Sequence, residues 1–243
     1  MSTRPALSVV VPAYNEEARL GPTLERIRAY LGGRADLAGA WELIVVDDGS
    51  RDGTVAIAEA AAAAEPRVRV VVQPANRGKG AAVRAGALAA AGARVLFSDA
   101  DLATPIEEVE KLEARLAAGA DVAIASRALP DSDIRVRQHP LRETMGRTFN
   151  VLVRALMRGA IGPIKDTQCG FKLFTAAAAR DLFGRATVDG FAFDVELLYL
   201  ARGRWRVDEV PVVWRHVDES KVSPGTDAAR MLLDVVRLRW RHR

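Results

Sequence analysis

The chain has 243 residues, and its 35 Lys and Arg residues outnumber its 31 Asp and Glu residues, giving a formal net charge of +4. Hydrophobic residues make up 49% and charged residues 27% of the sequence, which excludes a wholly disordered or fibrous protein. This small basic excess does not indicate a nucleic-acid partner. The single cysteine, Cys169, excludes an intramolecular disulfide and a cysteine-rich zinc site.

Five short apolar segments, rich in β-branched residues, predict strands in the first half of the chain. Continuous apolar segments of this kind are typical of strands buried on both faces of a parallel sheet. Four segments between them have the apolar spacing or the capping residues of helices. The predicted strands are 7–11, 43–46, 68–72, 95–97 and 122–124, and the predicted helices are 16–31, 54–64, 81–91 and 105–116. This alternation predicts an α/β fold with an open, mostly parallel sheet and helices on both faces.

The pattern changes after residue 127. Residues 128–140 contain two prolines and mixed charges, which predicts a loop. The segments that follow predict helices at 142–158, 193–201 and 227–240, strands at 171–174 and 206–214, and a polar loop at 218–225. This second half reads as an elaboration of the same sheet, so we predict a single domain.

Polar residues follow four of the predicted strands at the point where each strand ends. These segments are 12–16 (Pro-Ala-Tyr-Asn-Glu), 47–50 (Asp-Asp-Gly-Ser), 99–101 (Asp-Ala-Asp) and 126–127 (Ser-Arg). Ligands of open α/β sheets bind outside the carboxyl ends of the strands, so these segments predict one ligand site. For Asp47 and Asp48, capping of the following helix is the alternative role.

Asp99 and Asp101 predict a metal site. Alternate residues of an extended segment point the same way, so these two carboxylates lie on one side of the strand end. Each would repel a phosphate by about 4 kcal/mol per charge pair at ~4 Å and an effective dielectric of ~20. A divalent cation reverses that sign, because Mg²⁺ or Mn²⁺ takes one or two carboxylates and completes its shell with phosphate oxygens and water. The pair therefore predicts a site for Mg²⁺ or Mn²⁺ and a diphosphate.

Two common nucleotide-binding motifs are absent from the sequence, namely G-x-x-x-x-G-K-[ST] and a G-x-G-x-x-G that follows a strand. The segment Arg77-Gly78-Lys79-Gly80 opens a predicted helix and can approach a phosphate through its backbone N–H groups. We expect Lys79 to belong to the ligand site. A tight turn before a helix is the alternative reading of this segment.

Several motifs resemble those of the family-two inverting glycosyltransferases, which have the GT-A fold. The motifs that carry this resemblance are 11–17 (VPAYNEE), 46–50 (VDDGS) and 99–101 (DAD). Within the family the chain is most similar to the dolichyl-phosphate β-glucosyltransferases and somewhat less similar to the polyprenyl-phosphate mannose synthases. The segments that carry this finer likeness are 166–172 (DTQCGFK), 193–198 (FDVELL) and 220–221 (SK). The likeness extends over nearly the whole chain.

The resemblance implies a role for individual residues in binding the donor. The residues that match nucleoside-binding positions are Pro12, Ala13, Tyr14, Glu16, Val46 and Asp48. Asp99, Ala100 and Asp101 match the motif for the metal and the diphosphate. Lys221 matches a basic residue in a carboxyl-terminal loop over the donor.

The resemblance also implies an acceptor site and a division of the single GT-A domain, 1–243. Arg127 matches an arginine close to the phosphates, and Arg142 lies where the mannose synthases have a second arginine for the acceptor phosphate. Gly146 stands where those synthases have a serine. A nucleotide-sugar-binding half would span 1–127, an acceptor-binding half 128–225, and a basic amphipathic helix 226–243.

The chemistry of the acceptor bears on which residues are catalytic. A lipid phosphate is already an anionic nucleophile, so it needs positioning and charge neutralisation more than a general base. The fork of an arginine matches phosphate oxygens, which suits Arg127 and Arg142 to an acceptor phosphate. A sugar hydroxyl would need a base, and Asp194 stands where many family members have one. A structural cap or ion-pair partner is the alternative role of Asp194.

The carboxyl-terminal segment predicts a basic amphipathic helix. Its apolar stripe consists of Ala228, Met231, Leu232, Val235 and Leu238, and arginines lie on another face. Such a helix can lie in a membrane interface, where anionic lipids contribute about 1 kcal/mol per Lys or Arg. The alternative is a helix docked on the core with its basic face in water.

The sequence also bears on location. No run of about 18 uncharged apolar residues is present, which predicts no transmembrane helix. Residues 1–7 lack the apolar core of a signal peptide, and the single cysteine fits a reducing compartment. We expect a cytoplasmic protein that is peripheral on the cytoplasmic face of a membrane.

These observations predict an inverting, metal-dependent transferase that moves glucose from UDP-glucose to a polyprenyl phosphate. The alternatives within the same class are GDP-mannose as the donor and a soluble hydroxyl as the acceptor. A remote alternative is a non-catalytic scaffold that binds nucleotide sugars.

Overall fold

The computed structural model describes residues 4–136, 151, 153, 155–157, 161–215 and 226–241, with the backbone alone at 136, 226–229 and 241. The strands are β1 (Leu7–Ala13), β2 (Trp41–Asp47), β3 (Val68–Val72), β4 (Arg94–Ser98), β5 (Val122–Ser126), β6 (Asp133–Val136), β7 (Phe171–Thr175), β8 (Val207–Pro211) and β9 (Val213–Arg215). The helices are α1 (Leu20–Gly33), α2 (Thr54–Ala64), α3 (Lys79–Ala89), α4 (Val109–Ala117), α5 (Ala176–Arg185), α6 (Phe193–Ala201) and α7 (Thr226–Arg241). Short 3₁₀ turns span Ala35–Leu37 and Ile106–Glu108.

Seven strands form one mostly parallel sheet in the order β3-β2-β1-β4-β7-β5-β8. Only β7 runs antiparallel to its neighbours, β4 and β5. The other pairs, β2–β3, β1–β2, β1–β4 and β5–β8, are parallel. Strands β6 and β9 form a separate parallel pair. The predicted α/β class is confirmed, and the antiparallel strand inside the sheet is a feature that the apolar pattern did not indicate.

The core has two layers, one on each face of the sheet. Alternate residues of β1 point to opposite faces, so Val9 packs with α1 and α4 on one face and Val10 with α3, α5 and α6 on the other. Helix α3 approaches the sheet closely, because a Cβ on Gly86 would lie 2.3 Å from Val10 Cγ1 and 2.8 Å from Val46 Cγ2. Full burial of an aliphatic side chain contributes about 1.5–3 kcal/mol, so this double layer dominates the stability of the sheet.

The structure corrects the predicted elements at three places in the second half. Strand β6 lies inside the predicted loop 128–140, because it pairs with β9 across a long sequence separation. The predicted strand 206–214 is two strands in different sheets, β8 and β9, separated at Val212. Helix α5 was not predicted. The predicted loop 218–225 and most of the predicted helix 142–158 lie outside the described residues.

The predicted carboxyl-terminal helix is present as α7, and its apolar stripe is docked on the core. Met231, Val235 and Leu238 are buried, while Leu232 is partly buried. The side chain of Ala228 lies outside the described part of the chain. The apolar stripe that we expected to contact a membrane therefore packs against the protein core, which was the alternative given for this helix. Within the described ranges, no helix combines the length and apolar character needed to cross a bilayer.

Candidate active site

The polar ends of β1, β2 and β4 meet at one edge of the sheet. Parallel pairing sets Ala13 beside Asp47, and β1 also pairs in parallel with β4, so the segments that follow these strands emerge side by side. The antiparallel β7 enters the sheet at this same edge, because Phe171 at its start pairs with Ser98 at the end of β4. The segment 166–170 that precedes β7 therefore joins the predicted site.

Asp99 fits into a space that Gly170 leaves. The Asp99 backbone N–H donates to the Gly170 carbonyl at 3.0 Å. A Cβ on Gly170 would lie 1.9 Å from Asp99 Oδ2, so only glycine accommodates the carboxylate in this orientation. Asp101 is held by its own turn, in which Leu102 has a φ of 45° and the Ala103 N–H donates to Asp101 Oδ1 at 2.9 Å. Both carboxylates of the predicted metal motif are thus fixed by neighbouring backbone.

The donor set at Asp99 and Asp101 fits a divalent cation that is shared with a ligand. Burial and the charge of Asp99 raise the pKa of Asp101, because two neighbouring carboxylates repel each other. Across the described ranges, no group of three or more acidic, histidine or cysteine side chains could hold a metal by itself. Two carboxylates with open positions suit Mg²⁺ or Mn²⁺, which complete their shells with phosphate oxygens and water.

Lys79 lies against this acidic pair. Its Nζ is 2.7 Å from Asp99 Oδ1, and it lies 5.4 Å from the centroid of the Phe97 ring. Burial by itself lowers the pKa of Lys79, but the charges of Asp99 and Asp194 outweigh burial and raise the pKa above its usual value. The lysine is therefore a cation at the site. The N–H groups of Arg77 and Gly78, which we expected to approach a phosphate, donate to Asp48 instead, so the segment 77–80 reaches the acidic pair through the side chain of Lys79.

Asp48 anchors the segment that leads into α3. Its Oδ1 accepts from the Arg77 N–H at 2.9 Å, and its Oδ2 accepts from Gly78 N–H at 2.8 Å and from Asn76 Nδ2 at 3.0 Å. Gly78 has a φ of 113°, and a Cβ there would lie 2.5 Å from the Asp189 carbonyl oxygen. Burial raises the pKa of Asp48, while the two backbone N–H groups act to lower it. Any contact of Asp48 with a nucleoside would be added to this anchoring role.

Asp47 has a local structural role, similar to the helix-capping role that the sequence indicated as its alternative. Its Oδ2 accepts from the N–H groups of Gly49 and Ser50 at 3.0 Å each, which fixes the turn after β2. Gly49 has a φ of 73°, and a Cβ on it would lie 2.6 Å from the Ala75 carbonyl carbon. The turn after β2 therefore packs directly on the segment that precedes α3.

The remaining residues expected at the nucleoside differ in exposure. The side chain of Val46 is buried in the core with α3, and that of Ala13 is buried on the other face, so only their backbone borders the edge. Pro12, Tyr14 and Glu16 are half-buried at the edge itself. Lys221, Arg142 and Gly146, which the resemblance connects with the donor and the acceptor, lie outside the described residues.

Arg127 is clamped by Asp166. Its Nε and Nη2 donate to the two carboxylate oxygens at 2.7 and 2.9 Å, and its backbone N–H donates to Asp166 Oδ2 at 3.0 Å. The guanidinium also lies 5.5 Å from the centroid of the Trp214 ring. Burial alone would raise the pKa of Asp166, but Arg127 outweighs burial and lowers it to about 2. The side chain of Arg127 keeps 30% of its surface exposed, so part of it remains available to a ligand.

Beneath the metal motif lies a buried ion pair. Lys172, the second residue of β7, donates from Nζ to Asp194 Oδ1 at 2.6 Å and to the Cys169 carbonyl at 2.7 Å. The two charged side chains are only 1% and 5% exposed. Burial raises the pKa of Asp194, although Lys172 and Lys79 act to lower it. The pair ties β7 to the first turn of α6.

Three residues of this site were not predicted individually, namely Asp166, Gly170 and Lys172. All lie in the segment 166–172 that carries the finer family likeness. The signal for Lys172 was a lysine inside the apolar run Phe-Lys-Leu-Phe, where burial demands a counter-ion. Cys169, in the same segment, is buried, and burial raises the pKa of its thiol to about 11, which does not suit a nucleophile.

Comparison with curated proteins gives close relatives over most of the chain. A dolichyl-phosphate beta-glucosyltransferase of Trichomonas vaginalis is 42% identical over 237 residues, which cover 94% of this chain and 69% of that protein. A human protein of the same name is 39% identical, with coverage of 97% of this chain and 75% of the relative.

Solved structures give the same fold. Glucosyl-3-phosphoglycerate synthase from Mycobacterium tuberculosis, crystallised with Mn²⁺, uridine diphosphate and glucosyl-3-phosphoglycerate, superposes with a TM-score of 0.71 at 25% identity. The match covers 99% of this chain and 80% of that one. The sequence profile described as glycosyl transferase family 2 matches residues 8–183. The chain therefore belongs to glycosyl transferase family 2 and has the GT-A fold of a glycosyltransferase.

Proposed function

We propose that this protein transfers glucose from UDP-glucose to a polyprenyl phosphate, with inversion at the anomeric carbon and with Mg²⁺ or Mn²⁺ at Asp99 and Asp101. The observation that carries the proposal is an acidic pair flanked by Lys79 and Arg127, while Asp194, the expected base, is buried and paired with Lys172. The names of the curated relatives support glucose and a dolichyl phosphate. A structural neighbour crystallised with Mn²⁺ and UDP-glucose supports the donor and the cation.

The acidic pair and Lys79 act on the leaving group. A bound cation would supply positive charge to the diphosphate as its bond to the anomeric carbon breaks. Asp99 and Asp101 would hold that cation, and Gly170 leaves the space that Asp99 occupies. Lys79 offers a second positive charge at the same edge of the sheet.

Arg127 acts on the acceptor. Asp166 fixes two of its nitrogen atoms, so the guanidinium is already oriented before a phosphate arrives. A preorganised cation of this kind lowers the cost of bringing an anionic nucleophile beside an acidic metal site. The acceptor phosphate oxygen forms the new bond to the anomeric carbon on the face opposite the leaving diphosphate, and no proton has to be removed. Arg142 is the proposed second ligand of this phosphate.

Asp194 separates the two classes of acceptor. A hydroxyl acceptor needs a base that can reach it, whereas the carboxylate of Asp194 is buried and ion-paired with Lys172. This arrangement favours a positioning role for Asp194 beneath the metal motif and a phosphate as the acceptor. A general base contributes about 10²- to 10⁴-fold to rate. We therefore expect Asp194→Asn to lower kcat by less than that, without changing the shape of the pH profile of kcat/KM.

Transfer of radiolabelled glucose tests the proposal directly. The full chain is mixed with UDP-glucose or GDP-mannose, Mn²⁺ and a polyprenyl phosphate in detergent, and the lipid product is measured. We expect product from UDP-glucose alone, and none after chelation of the metal or in Asp101→Asn. Preference for GDP-mannose would refute the donor. Transfer to a soluble hydroxyl that is lost in Asp194→Asn would refute the acceptor.

The outer face of α7 supports contact with the membrane that holds such an acceptor. Leu233, Val236 and Trp240 are 55%, 40% and 71% exposed and lie on one side of the helix. Arg230 and Arg237 are exposed beside them. Apolar side chains flanked by arginines match an anionic lipid surface. We propose that this row, and not the buried stripe, rests on the cytoplasmic face of the membrane.

Vesicle flotation tests this contact. The double variant Leu233→Ser/Trp240→Ser should bind vesicles that contain phosphatidylserine at least tenfold more weakly than the wild type, because about two large apolar groups are lost. Leu88, an exposed leucine on α3, provides a matched control as Leu88→Ser, which should bind like the wild type. Equal binding by the double variant and the control would refute the proposed face.

A further inference from the structure

The contact between Lys79 and Asp99 has a consequence for the order of binding at the site. We infer that Lys79 exchanges between Asp99 and the diphosphate of the donor, so that the divalent cation and the nucleotide bind cooperatively. This inference rests on the proposed function for the identity of the nucleotide. Lys79 would then do more than bind the donor, because its movement would couple the binding of the cation to that of the nucleotide.

The first step is competition for one carboxylate. The ammonium group of Lys79 lies 2.7 Å from Asp99 Oδ1, and the side chain is one-quarter exposed. A divalent cation that binds Asp99 brings a second positive charge to the oxygen atoms that Lys79 already neutralises. In a partly buried site such like charges repel strongly, because water screens them poorly. The cation alone is therefore a weak ligand for as long as Lys79 remains on Asp99.

The second step is a new partner for the lysine. Lys79 is the first residue of α3, and the Ala81 N–H in the same turn already donates to the Asp189 carbonyl at 3.2 Å. The ammonium group of Lys79, and not the helix backbone, is therefore the group that can meet a phosphate. The diphosphate of a donor that shares the cation of Asp99 and Asp101 offers Lys79 another anion at the same edge of the sheet. The long, flexible stem of a lysine allows the ammonium group to move between two anions without a change of the backbone. Asp99 then becomes available to the cation.

Arg127 differs from Lys79 in this respect. It is bonded to both oxygen atoms of Asp166, a carboxylate outside the metal motif. It can thus remain in place when the cation binds. Of Lys79 and Arg127, Lys79 is the one whose partner carboxylate is also a proposed metal ligand, so the coupling is assigned to Lys79.

Binding of Mn²⁺ to the full chain tests the exchange, with free Mn²⁺ measured by electron paramagnetic resonance. Each protein is titrated alone and with saturating UDP, with correction for Mn²⁺ bound by UDP itself. The variants are Lys79→Met, which removes the charge, and Lys79→Arg, which keeps it. Lys111→Met is the matched control, because Lys111 also pairs with a carboxylate at 2.7 Å but lies at the start of α4, outside the described site.

For the wild type we expect UDP to strengthen Mn²⁺ binding at least tenfold, which lies within the usual range of coupling between two ligands. In Lys79→Met, binding of Mn²⁺ alone should strengthen by about five- to tenfold, and the gain from UDP should fall below about threefold. Lys79→Arg and Lys111→Met should keep the wild-type pattern. Thermal melting of each variant verifies that it is folded.

Unchanged or weaker binding of Mn²⁺ alone by Lys79→Met would overturn the inference, and so would an undiminished gain from UDP. Failure of UDP to bind the wild type in the presence of Mn²⁺ would instead refute the proposed donor. The comparison of Mn²⁺ alone between the wild type and Lys79→Met would still decide the competition for Asp99, because that comparison involves no nucleotide.

Discussion

Gly170→Ala should impair the proposed metal site while leaving the fold intact. The added Cβ would lie 1.9 Å from Asp99 Oδ2 and 2.3 Å from Asp99 Cγ. Because real Cβ contacts do not fall below 3.0 Å, the carboxylate must shift by at least about 1 Å. The backbone of Gly170 has no positive φ, so alanine adds only this steric conflict. A misplacement of ~1 Å at a reacting centre can cost about 10²-fold in rate.

The assay is glucose transfer at saturating Mn²⁺, followed by titration of Mn²⁺ for the variant. We expect kcat/KM to fall by about 100-fold and half-saturation by Mn²⁺ to require a higher concentration. Stability should change little, since the side chain of Asp99 can rotate away from the methyl group. Gly184→Ala is the matched control, because a Cβ there has no atom within 4 Å. Activity of Gly170→Ala near that of Gly184→Ala would refute the reasoning.

Asp166→Asn should remove a contribution of about 2 kcal/mol to stability at pH 7, because the pKa of Asp166 is depressed to about 2 in the folded protein. This contribution is present above the unfolded pKa of about 4 and is lost as the pH falls towards 2. The free energies of unfolding of wild type and variant, measured in urea, should therefore converge at low pH, and a difference that stays constant with pH would contradict the assignment. Lys172→Met should destabilise by about 3–5 kcal/mol, because Asp194 then remains buried without its counter-ion. Lys172→Met/Asp194→Leu should recover most of this loss in the same measurement, and a purely additive loss would refute the buried-pair argument. Asp101→Asn should abolish Mn²⁺-dependent transfer with unchanged thermal melting, and retained transfer would exclude Asp101 as a metal ligand.

The part of the site that could be predicted from sequence is the part built from residues next to buried strands. Apolar runs located the strands, and the polar residues after them had to emerge at a shared edge of a parallel sheet. Asp99 and Asp101 followed from this rule and from the charge requirement of a diphosphate. The five strands of the first half were confirmed on the same physical basis.

The other features of the fold and of the site depend on the pairing of strands that are far apart in the sequence, and the local pattern of apolar residues does not indicate such pairing. Strand β7 lies between β4 and β5 although more than 40 residues separate it from β5. That insertion brings Gly170 to Asp99 and Asp166 to Arg127. The same limit explains why β6 was taken for a loop. The burial of the Val46 side chain was also not predicted, because it depends on the close approach of α3 to the sheet at Gly86.

The insertion of β7 sets an order on the folding of this protein. Within residues 1–127, β4 pairs on one side only and β5 has no paired strand, because β7 (Phe171–Thr175) lies between them in the sheet. Unpaired inner edges of this kind attract other chains, so the amino-terminal half made alone should aggregate. During synthesis the amino-terminal half therefore waits for the segment that carries Asp166 and Gly170. The contact of Gly170 with Asp99 and the pairing of Asp166 with Arg127 can form only after that segment has been made.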